Sequence, residues 1–331
     1  MRNTLILLLI LLTLGAVYFF MPRGERTKSS IRIEDREFVN KDRNDIFTIT
    51  IKSKARPMIH LSRKGAGWFI NSKYLAKQNI MDNMLMVLSK MSIQYIPRKL
   101  ENKTAMERID KFGIDIKTYD STGNLLTDFI LGPNINSEYG TYITKQGAEQ
   151  VYVMCLAAQQ GGLRGYFNHA VEVMRDLTML NLEAEDIKTV EVTYPKDKIN
   201  SFKIDKRKGQ YNLTSQLEDY KDKPLNRNVV DAFFKDFKYV NAERLRNGHL
   251  YKDSISNEIP FMTVKVDMED GKSYQLDSWP FVDFESKYIT RSVRDVTERH
   301  QKFYVKSSWG DFYQVQTQFL EPFMKKVEDF Y

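Results

Sequence analysis

The sequence predicts an α+β fold in which a module of antiparallel hairpins, with helices packed on one face, occurs twice in tandem. Two observations predict it. A strand pattern at residues 45–51 returns at residues 186–192 with apolar residues at matching positions. An apolar stripe at helical spacing then follows each copy in the same phase. We therefore expect two foldable repeats, residues 45–182 and residues 183–331.

Each repeat begins with three strands. In the first repeat, a strand at residues 45–51 precedes two short strands, residues 59–63 and 67–70. A basic, glycine-containing turn at residues 63–65 joins the two short strands, which is typical of a hairpin. The matching strands of the second repeat are residues 186–192, 202–206 and 210–213, with the turn at residues 206–209.

A helix follows the three strands in each repeat, because apolar residues recur there at i, i+3, i+4 and i+7. The stripes are Met81, Met84, Leu85 and Leu88 in the first repeat, and Val230, Phe233, Phe234 and Phe237 in the second. Pro224 and Asn226 precede the second stripe and are typical of a helix start.

Four more strands and a closing helix complete each repeat. Polar turns at residues 120–124 and 267–272 predict a second hairpin in each. The pattern also matches residues 142–144 with 288–290, and residues 151–153 with 303–305. Apolar spacing then predicts a closing helix over residues 163–177, and another over residues 315–327 that Pro322 bends.

Residues 4–21 form an uncharged, apolar segment rich in Leu, Ile and Phe. The segment is long enough to cross a hydrocarbon core of about 30 Å as a helix. It favours an uncleaved single-span transmembrane anchor over residues 1–21; a cleaved signal peptide is the alternative. Residues 22–44 are polar and predict a tether. Positive residues flank both ends of the span, so charge does not decide its orientation. A long tail behind such an anchor is usually exported.

Composition excludes some classes of function. The formal net charge is +7, with 43 acidic residues spread among the basic ones. This balance predicts a mixed solvated surface and no nucleic-acid partner. The single cysteine, Cys155, excludes an internal disulfide and a cysteine-only metal cluster. It follows an apolar run, which predicts a buried structural thiol.

No residue pattern predicts a catalytic, cofactor-binding or metal site. The histidines show no ligand spacing; they are His60, His169, His249 and His300. The phosphate-binding, dinucleotide-binding and nucleophile-elbow motifs are absent from the sequence. Residues 161–165 are glycine-rich and precede a predicted helix, so they could bind an anion. A flexible linker is the simpler interpretation.

Two further groups of side chains could carry chemistry. Paired acids perform glycosidic or metal chemistry, but Glu183, Glu185 and Asp186 lie in the connector between repeats, where solubility explains them. Tryptophans can stack on sugars; the three are Trp68, Trp279 and Trp309. Trp68 heads a strand whose counterpart carries Tyr211, which favours a core position. We therefore predict no enzyme, and keep an envelope hydrolase as an alternative.

Several elements carry a family resemblance. They are the basic hairpin entering residues 67–70, the amphipathic helix after it, residues 112–114, residues 131–132, residues 142–143 leading to 151–153, and residues 174–177. Together they resemble the bacterial family catalogued as domain of unknown function 4340, well over residues 46–220 and loosely in the second repeat. The resemblance implies an exported protein with one N-terminal anchor, often encoded near auxiliary parts of gliding-motility-type ABC transporters. It implies no active-site residues.

The expected function is that of a non-enzymatic cell-envelope protein. We expect a single-pass inner-membrane anchor at residues 4–21, a periplasmic soluble part, and a protein partner in an envelope or ABC-transporter-type machine. No cofactor and no metal are expected. The alternative is a ligand- or lipid-binding protein that uses the cleft between repeats. Aromatic residues of the predicted helices favour this alternative; they are Tyr166, Phe167, Phe233, Phe234 and Phe237.

Overall fold

The computed structural model describes residues 38–40, 42–136, 139–157, 159–220, 223–281 and 301–331. The chain divides into two compact units: unit 1 ends at His169, and unit 2 is Ala170–Tyr331. Met179 and Leu182, which the sequence places in the first repeat, belong to the core of unit 2. The predicted anchor at residues 4–21 and most of the tether lie outside the described residues. No helix within the described ranges is long and apolar enough to span a membrane.

Unit 1 contains one antiparallel sheet of nine strands within the described residues. The strands are β1 (Thr48–Ser53), β2 (Arg56–Lys64), β3 (Gly67–Ile70), β4 (Tyr74–Leu75), β5 (Met91–Tyr95), β6 (Ile114–Tyr119), β7 (Leu125–Asn134), β8 (Thr141–Lys145) and β9 (Tyr152–Leu156). The helices are α1 (Gln78–Lys90) and α2 (Lys99–Phe112). The order across the sheet is β4-β3-β2-β1-β6-β7-β8-β9-β5.

The two helices of unit 1 pack on opposite faces of this sheet. Successive strand residues point to opposite faces, so Phe129 and Ile130 of β7 face different sides. Ile130 packs with Ile109 of α2. Phe129 instead contacts the ring of Phe38, and a backbone hydrogen bond links the segment after Phe38 to the carbonyl of Leu88 in α1. The predicted packing of helices on one face is therefore wrong for this unit.

Unit 2 repeats much of this arrangement. Its strands are β10 (Thr178–Leu180), β11 (Ile187–Thr193), β12 (Phe202–Arg207), β13 (Gln210–Ser215), β14 (Val240–Asn241), β15 (Arg244–Leu245), β16 (Met262–Met268), β17 (Ser273–Pro280), β18 (Lys302–Ser307) and β19 (Phe312–Gln316). Its helices are α3 (Val171–Met174), α4 (Arg227–Lys235), α5 (Lys252–Asn257) and α6 (Thr317–Leu320). In the described part of the chain, eight strands form one antiparallel sheet and β10 pairs with β14.

The strand orders of the two large sheets match. Unit 2 has the order β13-β12-β11-β16-β17-β18-β19-β15. Without β4, unit 1 has the order β3-β2-β1-β6-β7-β8-β9-β5. Strands at the same position of the two sheets also come in the same order along the chain, so that β1 corresponds to β11 and β9 to β19. In both units, an edge strand that follows the first long helix, β5 or β15, pairs with the last strand of the unit's sheet, β9 or β19. The two sheets therefore share one topology.

Aromatic side chains fill the core of unit 2. Phe233 of α4 contacts the rings of Phe202, Phe237 and Phe330 in edge-on geometry. Edge-on aromatic pairs add stabilisation beyond the burial of their area. On the opposite face of the sheet, Ile255 of α5 packs on a smaller cluster formed by Trp279, Tyr304 and Phe312. Unit 2, like unit 1, thus carries a helix on each face.

The predicted strands at the start of each repeat, the two hairpins and the first helices are confirmed. The closing helices are wrong. Residues 163–177 form a 3-10 turn, Leu163–Tyr166, and the short helix α3. Val315 lies in β19, and Pro322 lies in a 3-10 turn, Glu321–Phe323, that follows α6.

The predicted match of residues 151–153 with 303–305 is also wrong, by one strand. Residues 303–305 lie in β18, which occupies the place of β8 in the sheet order; β19 occupies the place of β9. The other predicted match, with residues 288–290, lies outside the described residues.

Candidate functional site

Strand β5 is the outer edge of the sheet in unit 1. Among the described residues it pairs only with β9, so one side of its backbone has no strand partner. After Met91, every residue of β5 is exposed. An edge strand with unpaired backbone N–H and C=O groups can accept a further strand. This edge is the candidate binding surface.

Exposed apolar side chains line this edge. They are Ile93, Tyr95, Ile96 and Leu100, which we call the edge surface; Leu100 is 81% exposed. Free edges of natural sheets usually carry charged side chains that prevent further pairing. A β-bulge between Ile93 and Tyr95 is the protective feature present. The edge surface therefore combines free backbone groups with apolar side chains, which is typical of a docking site.

A shared carboxylate attaches this edge to the start of α2. The hydroxyl of Tyr95 donates to Glu101 Oε1 at 2.8 Å, and the hydroxyl of Tyr142 donates to the same oxygen at 3.2 Å. Burial, followed by the hydrogen bond to Glu101, raises the pKa of Tyr95 to about 12. Tyr95 therefore stays protonated and keeps donating at neutral pH, which holds the end of β5 against the helix.

Basic side chains surround the edge surface. Lys90 precedes β5, and Arg98, Lys99 and Lys103 follow it; all four are exposed. None of them forms an ion pair with an acidic side chain among the described residues. Glu101 is the acidic residue between them, and its carboxylate is engaged by Tyr95. The edge surface therefore lies in a local positive potential.

At the corresponding edge of unit 2, a polar network ties the residues that flank β15 to the neighbouring strands β18 and β19. Glu243, just before β15, accepts hydrogen bonds from Lys302 Nζ at 3.1 Å and from Gln314 Nε2 at 2.9 Å. Arg246 donates twice to Gln314 Oε1, at 3.0 and 2.7 Å. The hydrogen bonds from Gln314 and Lys302 hold the pKa of Glu243 below its ordinary value.

A buried ion pair lies next to this network. Arg175 donates two hydrogen bonds to the carboxylate of Asp311, at 3.1 and 2.5 Å, and both side chains are at most 10% exposed. Asn247 and Tyr313 donate to the same carboxylate. Burial alone would raise the pKa of Asp311, but the hydrogen bonds from Arg175 and Asn247 hold it below its ordinary value. These groups satisfy one another and tie α3 to the turn before β19.

The comparison with family models identifies residues 68–278 as a match to the model described as Domain of unknown function (DUF4340). The chain belongs to this family. The match confirms the family predicted from sequence and extends from β3 to β17, further into unit 2 than predicted. No curated protein matches the chain, and no solved structure does.

Two glycines of the family resemblance have a structural role in this member. A Cβ at Gly113 would lie 2.7 Å from Ile130, and one at Gly132 would lie 2.6 Å from Ile109. Contacts under 3.0 Å would force the backbone apart. The two glycines therefore let α2 pack directly on β7, on the same face of the sheet as Tyr95 and its carboxylate partner.

The histidines do not come together as a metal site, and no group of three His, Cys, Asp or Glu side chains within the described ranges could hold a metal ion. The His60 backbone N–H donates to Asn71. Burial, followed by the charge of Arg56, lowers the pKa of His169. His249 Nε2 lies 3.1 Å from the hydroxyl of Tyr304. His300 lies outside the described residues.

The glycine-rich segment at residues 161–165 serves the fold. The Leu163 N–H donates to Thr141 Oγ1 at 2.7 Å, so this group is not free to bind an anion. Arg164 donates to three backbone carbonyls, those of Phe112, Leu131 and Gly132. Sequence reasoning missed Arg164, because its acceptors are at least 32 residues away along the chain. The predicted linker is thus also a clamp for β7 and the end of α2.

The candidate acids are held by neighbours in unit 2. Glu183 forms an ion pair with Lys238 at 2.9 Å, and the backbone carbonyl of Asp186 accepts from Glu269. A cavity of about 390 Å³ lies beside them, lined by Glu183, Asp186, Glu269, Asp270, Lys272 and Tyr274 among others. The Asp270 carboxylate pairs with Lys272 at 2.6 Å. Charge pairing, as expected for a solvated surface, accounts for this cluster.

The aromatic candidates are mostly core residues. Trp68 is buried in unit 1, and Trp279 is buried in unit 2, where its indole N–H donates to the carbonyl of Glu258. Trp309 is 42% exposed and donates to the Tyr313 hydroxyl. The aromatic residues that favoured a ligand cleft are buried, except for half-buried Tyr166; the buried ones are Phe167, Phe233, Phe234 and Phe237.

Cys155 is a half-buried free thiol on β9. In the sheet register it lies opposite Ser92 of β5. Its neighbours Met154 and Leu156 are buried, so the alternation of β9 places the thiol on the less covered face. Cys155 is therefore less buried than the predicted buried structural thiol.

Proposed function

We propose that this protein is a non-enzymatic component of the bacterial cell envelope that binds a protein partner through its folded units. An N-terminal anchor at residues 4–21 would hold it in the inner membrane, with the folded units in the periplasm. The partner would belong to an envelope or ABC-transporter-type machine, in which this chain serves as an accessory or scaffold. The resemblance stated from sequence supports the transporter association.

The observation that carries this proposal is the edge surface of unit 1. It offers free strand backbone and exposed apolar side chains such as Ile93 and Leu100 within a positive potential. In unit 2, the buried side chains of Arg175 and Asp311 bond to each other. This use of polar side chains supports a structural and binding role for the units.

We further propose that the two units arose by tandem duplication. Their shared strand order supports this origin. The matching hairpin turns support it as well: Gly123 donates to the carbonyl of Asp120 in unit 1, as Gly271 does to that of Met268 in unit 2. A duplicated module doubles the surface that an accessory protein can present.

The test is cross-linking of the full-length, membrane-anchored protein in its native cells, followed by identification of captured neighbours by mass spectrometry. We expect one transporter or envelope-machine subunit to be captured, and to be lost when residues 46–331 are deleted. Absence of any specific neighbour would overturn the proposal and favour a ligand-binding or hydrolytic function.

The predicted location requires its own test. In spheroplasts, protease added outside the inner membrane should digest the folded units, whereas a cytoplasmic marker protein stays intact. Carbonate washing should leave the chain in the membrane fraction if residues 4–21 anchor it. Protection from the protease would overturn the periplasmic location.

A further inference from the structure

We propose that β5 binds an extended, acidic segment of the protein partner by strand addition. This inference rests on the proposed function and names the chemistry of the partner. The segment would run along the free side of β5 and extend the sheet of unit 1 by one strand. Three observations support it: the free backbone edge, the placement of apolar side chains on both faces, and the unpaired positive charge beside them.

The backbone of β5 supplies the first element. In an antiparallel edge strand, alternate residues direct their N–H and C=O groups away from the sheet. β5 has five residues, close to the length of a typical strand. The bulge between Ile93 and Tyr95 interrupts its register with β9. The Met91 N–H already donates to the carbonyl of Val87. An added strand would therefore form its ladder along Ser92 and Ile93 and continue past the bulge by side-chain contacts.

The side chains supply the second element. In the register with β9, Ile93 lies opposite Met154 and Tyr95 lies opposite Val153. Met154 and Val153 are consecutive residues, so Ile93 and Tyr95 occupy opposite faces of the sheet. An added strand would find an exposed apolar side chain on each face. Strand addition obtains affinity from the main chain and specificity from such alternate side-chain positions.

Charge decides the class of partner. Lys90, Arg98, Lys99 and Lys103 surround the edge and have no acidic partner among the described residues. A segment with alternating acidic and apolar residues would meet this charge and cover Ile93 and Tyr95. A second copy of this chain, paired through its own β5, would instead place the same basic side chains on both sides of the interface. Like charges across an interface are unfavourable, so the partner is a different, acidic chain.

The test uses the full-length chain in detergent micelles and fluorescent peptides of about eight residues, roughly the length of one strand. The main probe alternates Glu with Val. A Lys–Val peptide controls for charge. A Glu–Val peptide N-methylated at every residue controls for backbone pairing, because it has no backbone N–H group left to donate to the ladder. Fluorescence anisotropy measures the dissociation constants.

Two variants remove the proposed contacts. Ile93→Asp places a charge at the centre of the edge surface, and Arg98→Glu with Lys99→Glu reverses the flanking charge. Each should weaken Glu–Val binding by about tenfold or more. Ile199→Asp is the matched control: Ile199 is an exposed isoleucine in a 3-10 turn of unit 2. It should change the constant by less than about twofold, in line with other exposed substitutions. Circular dichroism verifies that each variant is folded.

Each contrary outcome overturns a stated part of the proposal. Equal binding of the N-methylated peptide, or equal loss in Ile199→Asp, would overturn strand addition at β5. Equal binding of the Lys–Val peptide would overturn the acidic partner. A dimer in analytical ultracentrifugation that Ile93→Asp abolishes would identify a second copy as the occupant. If in-cell cross-linking to a neighbour persists in Ile93→Asp, strand addition fails while the proposed function stands.

Discussion

The two units share a strand order but treat the same edge of the sheet differently. In unit 1 the edge is β5, five residues long, and exposed after Met91. In unit 2 the edge is β15, two residues long, and Arg246 and Glu243 beside it bond to Gln314 of β19. Topology alone therefore leaves an edge in both units. The two edges differ in the length of the edge strand and in whether the side chains beside it bond to the neighbouring strand.

The helix that follows the edge strand is also longer in unit 1 than in unit 2. α2 has 14 residues and α5 has six, although both follow the edge strand and cover the same face. Each helix covers a buried tyrosine, Tyr142 of β8 in unit 1 and Tyr304 of β18 in unit 2. Tyr142 donates to Glu101, whereas Tyr304 contacts His249. Unit 1 thus has the longer second helix, beside the longer edge strand.

The largest effect should come from removing the buried ion pair between Arg175 and Asp311, which lies next to the edge of unit 2. Asp311→Ala leaves the Arg175 guanidinium buried without its carboxylate, which costs about 3–5 kcal/mol of unfolding free energy. Urea denaturation measures it. Asp267→Ala is the control, because the pair Lys265–Asp267 is exposed and spans 3.6 Å; it should cost less than about 1 kcal/mol. Equal losses would show that the buried pair is not what stabilises this edge.

The next effect concerns unit 1. Arg164→Met should lower the unfolding free energy by about 2–3 kcal/mol, because carbonyls of Leu131 and Gly132 lose a charged donor. The control is Arg108→Met, whose guanidinium lies 5.9 Å from the ring of Tyr142. It should cost about 1 kcal/mol or less. A small loss in Arg164→Met would mean that water replaces the clamp.

A pH titration compares the matched hairpin turns. Hydrogen bonds from Asn124 and then Thr122 lower the pKa of Asp120 to about 2, and bonding to Lys272 lowers the pKa of Asp270. A depressed folded pKa means that the stabilisation is complete above the ordinary value of 3.8. It is lost as the pH falls through the folded pKa.

Carboxyl carbon shifts measured by NMR should show Asp120 titrating near pH 2. In Asn124→Ala its midpoint should rise toward the ordinary value while that of Asp270 stays unchanged. A midpoint at the ordinary value in the unmodified chain would contradict the turn geometry.

The smallest effect on stability should come from the open edge itself. Leu100→Glu changes a side chain that is 81% exposed, so the unfolding free energy should move by no more than about 0.5 kcal/mol. In-cell cross-linking to the partner should nevertheless fall. In the edge strand of unit 2, Leu245 packs on the core of that unit. Leu245→Glu should therefore lower the unfolding free energy by about 1–3 kcal/mol. Similar costs at both edges would remove the distinction between them.

The start of each unit was predictable because local periodicity coincides with burial there. Met81, Met84, Leu85 and Leu88 are all buried in α1, so their helical spacing reports a real interface. The opening strands alternate in the same way. Turn residues such as Asp120 also act locally, through hydrogen bonds two and four residues ahead.

The missed elements lack that local signal. α2 buries only Ala105 and Ile109, so its apolar stripe is too narrow to stand out among charged residues. β5 is exposed on both faces after Met91 and shows no alternation. The closing helices failed for the opposite reason: spacing such as that of Leu163 and Phe167 mimics a helix, although the buried residues lie in tight turns.

The candidate site could not be predicted, because it depends on strand pairing between segments that are far apart in the sequence. The openness of β5 becomes visible only once β9 is known to be its neighbour. Likewise Arg175 and Asp311 are 136 residues apart, and their types do not reveal that they meet. Sequence patterns identified the histidines, acids and tryptophans individually, but spatial proximity decides which side chains act together.

The pairing of β5 with β9 also sets an order of events during synthesis and folding. Met91 lies opposite Leu156. β5 therefore cannot pair with β9 until β9 has been synthesised, after the hairpin of β6 and β7 is complete. Strand pairs of low sequence separation form first, and distant pairs carry a larger loop-closure cost. Until β9 arrives, β5 has both sides of its backbone free. A nascent chain at this stage is most exposed to mispairing, and a chaperone that covers extended apolar segments would act there.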